Sequence, residues 1–287
     1  MPHMQLLDSS LYYQESGHGA PIVLLHGNPG SSHLWRNVIP SLGRGRVLAP
    51  DLIGMGRSGK PEGLAYSFDD HARYLEAWID ALELDGVILV GHDWGGALAF
   101  DWAARHPHRV SGIAFLESVV KPMAWEELSP QARQRWETVR TPGAGEKMVL
   151  EDNMFLLGAF TRGGVLNAVS DADMQAYLEP FPTPQSRKPI LAWARQLPLG
   201  GEPPEIVTRI EAYDAWLASS ADVPKLLITF EGSPSLLIDE RMAQWCAANI
   251  ASLEVVSGGQ AGHHAPEDCP HEIAAAVGTW ADRLGLR

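Results

Sequence analysis

An aspartate stands where an apolar run meets a helical pattern. Gly91, Asp93 and Gly95 have the spacing Gly-x-Asp-x-Gly, after the strand-like residues 86–91 and before a helical segment. This is the spacing of a nucleophile elbow, with Asp in place of the usual Ser. Such a turn would lift the side chain above a sheet, at the positive end of a helix dipole. The alternative is an ordinary strand–helix turn in which Asp93 caps the helix.

The chemistry of a carboxylate limits what this aspartate could attack. Attack on an ester gives a labile anhydride, whereas attack on an sp³ carbon that carries a leaving group gives a stable alkyl ester. Hydrolysis of that ester then needs a water molecule, a base and donors for an oxyanion. We therefore expect a histidine near the end of the chain and a second carboxylate that orients it.

Two histidines compete for the role of base. His263 and His264 lie between the last predicted strand and the last predicted helix, which is where this kind of fold delivers its base. A zinc site at this pair would need two or three further ligands at helix or strand spacing, and His271 alone does not supply them. We expect no metal here.

Three residues are candidates for the orienting carboxylate. Glu117 stands at the carboxyl end of a predicted strand, whereas Glu231 and Asp239 follow a later strand whose loop has no early Asp. We expect Glu117 to be the orienting acid, and Glu231 and Asp239 remain the alternatives.

Short apolar runs alternate with helical patterns, which predicts an α/β fold with a mostly parallel sheet. The runs are rich in Val, Ile and Leu, as strands covered on both faces must be. An antiparallel edge hairpin is expected over residues 5–16. The predicted strands cover residues 22–26, 46–50, 86–91, 110–117, 224–231 and 253–257. The predicted helices cover residues 31–42, 68–84, 95–105, 239–248 and 270–284.

A proline-rich helical stretch interrupts this alternation from about Lys121 to Pro204. It could decorate the fold, or it could cover the carboxyl ends of the strands, where ligands bind in open α/β sheets. We favour a cap. The predicted division is a first part of the core over 1–120, a helical cap over 121–205 and the second part of the core over 206–287.

Composition limits the class of protein. Of the 287 residues, 45% are hydrophobic and 20% are charged, which excludes disorder over most of the chain. A net charge of −13 disfavours nucleic acids and anionic membranes as partners. Two cysteines cannot form a disulfide scaffold. Neither a membrane-spanning run nor a secretory signal is visible, so we expect a cytoplasmic protein, with the periplasm as the alternative.

Taken together, these motifs make the sequence resemble the haloalkane dehalogenases of the α/β-hydrolase superfamily, over essentially the whole chain. The resemblance rests on HGNPGSSHLWRN at 26–37, DLIGMGRSGKP at 51–61, GHDWGG at 91–96, FLE at 115–117, and GH at 262–263 followed by ED at 267–268. It implies an α/β-hydrolase fold with an inserted helical cap. It also implies hydrolysis of carbon–halogen bonds to an alcohol, a halide and a proton.

By that resemblance Asp93 is the nucleophile, His263 the base and Glu117 its partner. The indole N–H of Trp94 and the side-chain amide of Asn28 would hold the departing halide, and the backbone N–H groups of these two residues would form the oxyanion hole. The implied partners are a small halogenated alkane and chloride or bromide, with no cofactor, in a monomer or small homo-oligomer. The implied lining of the substrate pocket is Trp136, Phe155, Ala159, Trp193, Leu237 and His264, the last of which stands where relatives often have an aromatic or apolar residue.

Two other functions are weighed against this one. An epoxide hydrolase shares the Asp, the His and the acid, but it protonates a leaving alkoxide with two cap tyrosines, and the insertion holds only Tyr177. Asn28 also stands where epoxide hydrolases usually have an aromatic residue. The other candidate, a non-catalytic ligand-binding protein of the same fold, would need no set such as Asp93, Glu117 and His263.

Overall fold

One eight-stranded sheet runs through the part of the chain that the computed structural model describes, residues 3–161 and 163–287. The strands are β1 (His3–Leu6), β2 (Ser9–His18), β3 (Pro21–Leu25), β4 (Gly45–Pro50), β5 (Val87–His92), β6 (Val110–Leu116), β7 (Lys225–Glu231) and β8 (Leu253–Gln260). Their spatial order is β1-β2-β4-β3-β5-β6-β7-β8. β1 and β2 form the predicted antiparallel hairpin at the edge, and β3 to β8 run parallel to one another.

The six predicted parallel strands are confirmed. Their ends differ from the predicted ones by at most one residue, except that β8 continues to Gln260. The mostly parallel sheet with flanking helices also confirms the predicted α/β-hydrolase fold class. The alternation of apolar runs and helical patterns therefore predicts the strands of the core correctly.

Helices flank the sheet and fill the interval between β6 and β7. The α-helices are α1 (Phe68–Ala81), α2 (Trp94–Arg105), α3 (Pro130–Arg140), α4 (Ala144–Glu146), α5 (Met154–Ala159), α6 (Asp171–Leu178), α7 (Lys188–Ala194), α8 (Pro204–Ser219), α9 (Glu240–Asn249), α10 (Ala265–Asp268) and α11 (Pro270–Arg283). Shorter helical turns lie at Ser32–Trp35, Ile39–Ser41, Pro107–Arg109, Trp125–Glu127, Lys147–Glu151 and Gln185–Arg187. Within the described ranges, every helix is too short or too polar to cross a bilayer.

The helix predicted over residues 31–42 is wrong. The chain forms two 3₁₀ turns there instead. The backbone N–H of Ser32 donates to Oδ1 of Asp51 at 2.6 Å, which binds the first turn to the loop after β4. Pro40 has no N–H to continue a helix. Because the bond to Asp51 joins distant parts of the chain, the local pattern could not reveal it.

Strand order places two loops side by side at the carboxyl edge of the sheet. β3 lies between β4 and β5, so the chain winds outward in opposite directions from β3. The loops that follow β3 and β5 therefore meet at a topological switch point, which is where open α/β sheets bind ligands. Asn28 follows β3 and Asp93 follows β5.

Helices α3 to α7 belong to the stretch that the sequence predicts as a cap. They follow β6, whereas α8 leads back to β7. The boundaries at 121 and 205 stay predictions.

Apolar side chains are buried on both faces of the sheet, and this packing holds the strand ends in place. One cluster includes Trp78 of α1 and Phe100 of α2, and the other includes Val277 and Trp280 of α11. Each of these side chains is at most 2% exposed. Burial of a large apolar side chain stabilises the fold by about 1.5–3 kcal/mol, so the sheet edge is a rigid base for side chains beyond it.

The turn between β5 and α2 leaves no room for side chains around Asp93. A Cβ on Gly91 would lie 2.4 Å from the Cα of Gly96, and a Cβ on Gly95 would lie 2.2 Å from the carbonyl oxygen of Leu25. Both distances are steric overlaps with backbone atoms that cannot move aside. Glycine at these positions is what allows the strand to enter the helix so sharply.

We therefore expect Gly91→Ala to lower the free energy of unfolding by about 1–3 kcal/mol, because the added methyl group overpacks the turn. Gly158→Ala in α5 is the matched control, since a Cβ there has nothing within 4 Å and alanine favours a helix. Urea unfolding of both variants measures the difference. A midpoint for Gly91→Ala equal to that of the unaltered protein would show that the turn tolerates a side chain.

Candidate active site

Asp93 lies at the turn between β5 and α2 in a backbone conformation that few residues adopt. Its φ of 53° and ψ of −124° are those of a strained turn that presents the side chain beyond the strand end. A Cβ on Gly27 would lie 2.2 Å from Oδ2 of Asp93, so glycine at this position leaves space for the carboxylate. The Asp93 side chain does not accept from the N–H of Gly95 or Gly96, the positions that an ordinary helix N-cap binds.

The two oxygens of the Asp93 carboxylate have different surroundings. The backbone N–H of Asn28 donates to Oδ2 at 2.8 Å, and the backbone N–H of Trp94 also donates to the carboxylate. Oδ1 lies 3.9 Å from Nε2 of His263. Burial raises the pKa of Asp93, and His263 and the two N–H donors offset this only in part. Oδ2 is thus fixed by the backbone N–H of Asn28, while Oδ1 faces an imidazole.

His263, in the loop between β8 and α10, is oriented by Glu117 at the end of β6. Nδ1 of His263 lies 3.0 Å from Oε2 of Glu117. A carboxylate can only accept, so Nδ1 carries the hydrogen and donates it. The lone pair of Nε2 then points to the Asp93 side. This is the tautomer that a general base acting through Nε2 requires.

Glu117 is itself held by backbone donors. The N–H of Leu237 donates to Oε2 at 2.6 Å, and the N–H of Ile238 donates to Oε1 at 3.1 Å. The Glu117 residue is 1% exposed. A buried carboxylate with all these donors has no freedom to turn away from the imidazole. The backbone donors left no signal in the sequence, because every residue type except proline supplies an N–H.

The other two candidate carboxylates make different contacts. Asp239 accepts from the backbone N–H of Met242 at 2.8 Å and so caps α9. Glu231 is exposed at the end of β7. Of the three carboxylates considered from the sequence, Glu117 is the one hydrogen-bonded to His263.

The charges around His263 outweigh its burial. Burial lowers the pKa of the imidazole, but the hydrogen bond to Glu117 and the charges of Asp93 and Glu117 raise it above the usual value of 6.5. The neighbouring His92 and His264 are buried, and burial holds their pKa values well below 6.5. Near pH 7 these two imidazoles are therefore neutral, and His263 is the one that takes up a proton readily.

The imidazoles of His92, His263 and His264, which are possible metal ligands, lie close together. One ring nitrogen from each of His92, His263 and His264 lies within 4.8 Å of the others. Nδ1 of His263 is bound to Glu117, and Nε2 of His92 is bound to the carbonyl of His263. This arrangement suits a general base, His263, flanked by the neutral His92 and His264 better than it suits a metal centre.

Two neutral N–H donors adjoin the Asp93 carboxylate. Nδ2 of Asn28 donates to the carbonyl of Ile190 at 3.0 Å, which identifies the end of the amide that carries hydrogens. The second hydrogen on Nδ2 remains for a ligand. Trp94 is the first residue of α2 and supplies an indole N–H. Asn28, Asp93 and Trp94 line the same cavity.

A cavity of about 1380 Å³ lies above Asp93 and His263. Its size exceeds that of many small-molecule sites, and most of its wall is apolar. Helices α3 and α5 supply one side, and the segment before α9 supplies another. Of the residues predicted to line the pocket, the wall contains Trp136, Phe155, Ala159, Leu237 and His264.

Trp193 does not line the pocket, although the sequence predicted that it would. Its ring is fully buried and stacks on Trp94, with ring centroids 6.0 Å apart, and on His71, with centroids 3.9 Å apart. It is not part of the cavity wall. Trp193 therefore supports the indole of Trp94 from behind. The sequence could not separate these two places because both call for a large apolar ring.

Tyr177 does not reach the cavity. It is 2% exposed, and its hydroxyl donates to Oε1 of Glu267. Glu267 in turn binds both terminal nitrogens of Arg36, at 2.6 and 2.8 Å. This network ties α6 to the loop that carries His263. A tyrosine used in this way cannot protonate a leaving alkoxide above Asp93.

Comparisons with known proteins agree on one family. Residues 20–145 match a family model described as the alpha/beta hydrolase fold. A haloalkane dehalogenase of Mesorhizobium japonicum is 46% identical over 98% of this chain and 91% of its own length. One from Agrobacterium fabrum is 43% identical over 94% of this chain and 88% of its own length. The crystal structure of the haloalkane dehalogenase DatA from Agrobacterium tumefaciens C58 superposes with a TM-score of 0.92, at 41% identity, over 99% of this chain and 96% of that one.

The pKa of His263 should depend on Glu117. We expect Glu117→Gln to lower it, because the variant removes a negative charge and weakens the hydrogen bond while burial remains. Titration of the imidazole by NMR measures the value. Asp239→Asn is the matched control and should leave it unchanged, since Asp239 caps α9. If the pKa of His263 fell in Asp239→Asn but not in Glu117→Gln, the orienting carboxylate would be that of Asp239.

Proposed function

The chain belongs to the haloalkane dehalogenases of the α/β-hydrolase fold, which hydrolyse carbon–halogen bonds, and we propose that Asp93, His263 and Glu117 carry out this hydrolysis in two steps. The observation that carries the proposal is the unequal environment of the Asp93 oxygens. Oδ2 is held by the backbone N–H of Asn28, and Oδ1 faces Nε2 of His263. This arrangement suits formation and then hydrolysis of an ester on Asp93.

In the first step Oδ1 of Asp93 displaces the halide from the substrate carbon. A bond forms between Oδ1 and carbon, the carbon–halogen bond breaks, and the halide takes the electron pair. The amide of Asn28 and the indole N–H of Trp94 donate to the departing ion. Both donors are neutral, so they stabilise the charge as it develops and still allow the ion to leave.

In the second step His263 activates water. Nε2 takes a proton from water as the oxygen of that water bonds to Cγ of Asp93. Oδ2 becomes the oxyanion, and the N–H of Asn28, at 2.8 Å, is within the range of an oxyanion-hole donor. Collapse breaks the bond between Cγ and Oδ1, and the alcohol leaves with the proton held by His263. Asp93 then loses one proton to the solvent, so the products are alcohol, halide and a proton.

The epoxide-hydrolase alternative requires a tyrosine in the cavity, and no tyrosine of the described residues lines it. Opening of an epoxide produces an alkoxide on the substrate, which needs an acid on the far side of the cavity. Tyr177 is buried against Glu267, and Tyr66 and Tyr213 donate to backbone carbonyls elsewhere. None of these three tyrosines lines the cavity. Neutral N–H donors beside Asp93 suit a halide better than an alkoxide, which must be protonated.

We extend the proposal to the compartment, the cap and the oligomeric state of the protein. We propose a cytoplasmic protein, because Cys246 and Cys269 are both free and buried, as in proteins of a reducing compartment. The helices over 121–205 would act as the cap that closes the cavity. One chain supplies every group of the proposed site, so catalysis fits a monomer or a small homo-oligomer.

Replacement of His263 by Phe should stop the reaction at the ester. Without the base, 1-bromobutane should alkylate Asp93 and release one bromide per enzyme, and turnover should fall by at least about a thousandfold. Mass spectrometry of the Asp93 peptide detects the butyl group. Asp93→Ala is the control and should show neither the mass nor the bromide. If the His263 variant turned over like the unaltered enzyme, the base would have to be another residue.

The halide donors are tested through product inhibition. Asn28→Ala and Trp94→Phe should each weaken inhibition by bromide about three- to thirtyfold, because each removes one N–H donor. Trp136→Phe removes an indole N–H from the cap side of the same cavity and should leave the inhibition constant unchanged. If the inhibition constant for bromide were the same in all three variants as in the unaltered enzyme, the halide would bind at another place.

A further inference from the structure

Charged side chains lie in the wall of the apolar cavity above Asp93. Among the described residues, the cationic ones are Lys121, Arg135, Lys147 and Arg241. Apart from Asp93, the carboxylates in the wall are Glu127, Asp152 and Asp239. With Asp93 included, the cavity wall has four cations and four carboxylates, in a protein whose net charge is −13. The charges in the wall therefore balance, whereas those of the whole chain do not.

Two of the three carboxylates form ion pairs within the wall. Glu127 lies 3.1 Å from Nζ of Lys121 and 3.7 Å from a guanidinium nitrogen of Arg241. Asp152 lies 3.1 Å from Nζ of Lys147. These contacts account for three of the four cations and for two of the three carboxylates.

Two observations single out Arg135. Asp239, the third carboxylate, caps α9 by accepting from the N–H of Met242. Arg135 makes no ion pair or hydrogen bond with any residue in the described ranges. Its guanidinium is therefore the cation of the wall that has no anionic partner among the described residues.

Helix geometry points Arg135 into the cavity. Gln131, Ala132, Arg135 and Trp136 of α3 all line the wall, at the spacing of one helix face. Arg133 lies on another face and pairs with Glu137 at 2.9 Å. The field of Arg135 reaches the catalytic base as well, since this cation acts to lower the pKa of His263.

We propose that the cavity accepts haloalkanes that carry a carboxylate at the end opposite the halogen, with the guanidinium of Arg135 binding that carboxylate. The inference rests on the proposed function of Asp93, and it adds a substrate class to it. The carbon–halogen end would lie at Asp93, the methylene chain would cross the apolar wall that includes Trp136 and Phe155, and the anionic end would reach Arg135. A cavity of about 1380 Å³ has room for such an extended molecule.

The chemistry at the halogen end is unchanged. 6-Bromohexanoate and water would give 6-hydroxyhexanoate, bromide and a proton, with the same ester on Asp93. What Arg135 adds is attraction for the far end of the substrate. Because Arg135 is exposed, the attraction is that of a solvated ion pair and should weaken as salt is added.

The test compares bromide release from 6-bromohexanoate, from 1-bromohexane and from the neutral 6-bromohexanamide. The quantity of interest is kcat/KM for the acid divided by kcat/KM for the amide. Arg135→Gln should lower this ratio about three- to tenfold, mostly through KM, and Arg135→Glu should lower it further. Arg133→Gln is the matched control on the same helix and should leave the ratio unchanged. About 0.5 M sodium sulfate should reduce the ratio of the unaltered enzyme toward that of Arg135→Gln.

The outcomes distinguish a failure of the inference about Arg135 from a failure of the proposed function. If 1-bromohexane releases bromide but the ratio is the same in Arg135→Gln and Arg135→Glu as in the unaltered enzyme, Arg135 does not bind the carboxylate and the inference is wrong. An equal fall in Arg133→Gln would also overturn it, since the effect would then come from net charge. If no substrate releases bromide, the proposed function itself fails.

Discussion

The hydrogen bond from the backbone of Asn28 to Oδ2 of Asp93 is the contact on which the rest of the site depends. It makes the two oxygens of one carboxylate chemically different. Oδ2 keeps its donors whether it belongs to a carboxylate, an ester carbonyl or an oxyanion, so no reorganisation is needed as charge moves onto it. Oδ1, which faces Nε2 of His263, is the oxygen that we propose attacks the substrate. The donor and the carboxylate belong to loops that meet only because β3 and β5 are neighbours in the sheet.

Rigid packing below the site permits strain at the site. Asp93 and Glu117 both have positive φ values, 53° and 47°, which are rare for residues other than glycine. Such conformations cost about 1–3 kcal/mol each, and the surrounding structure must impose them. The buried β5 and β6 and the glycines of the turn do so here. Stability of the core and direction of the catalytic side chains are therefore linked.

The sequence predicted the core of this fold well because apolar runs and glycines act locally. The strand ends and the crowded turn at Gly91 and Gly95 follow from residue types alone. The 3₁₀ turns at 32–41 were missed because a distant carboxylate, that of Asp51, binds the backbone of Ser32.

Contacts through the backbone set another limit on what the sequence could predict. The bonds from Leu237 and Ile238 that fix Glu117 involve N–H groups, which every residue but proline has. The placement of Trp193 behind Trp94 depends on side-chain packing, which residue types alone do not determine. The catalytic roles themselves remain predictions, to which the geometry adds distances and hydrogen-bond partners.

The electrostatics of His263 suit the order of the two steps. In the free enzyme burial lowers the pKa of the imidazole, and the charges of Asp93 and Glu117 together raise it above 6.5. Formation of the alkyl ester removes the charge of Asp93, while the charge and hydrogen bond of Glu117 remain. The pKa of His263 must then fall, because one of the contributions that opposed burial is gone. The imidazole is thus driven to its neutral form, with the lone pair of Nε2 free, at the stage at which a base is needed to take a proton from water.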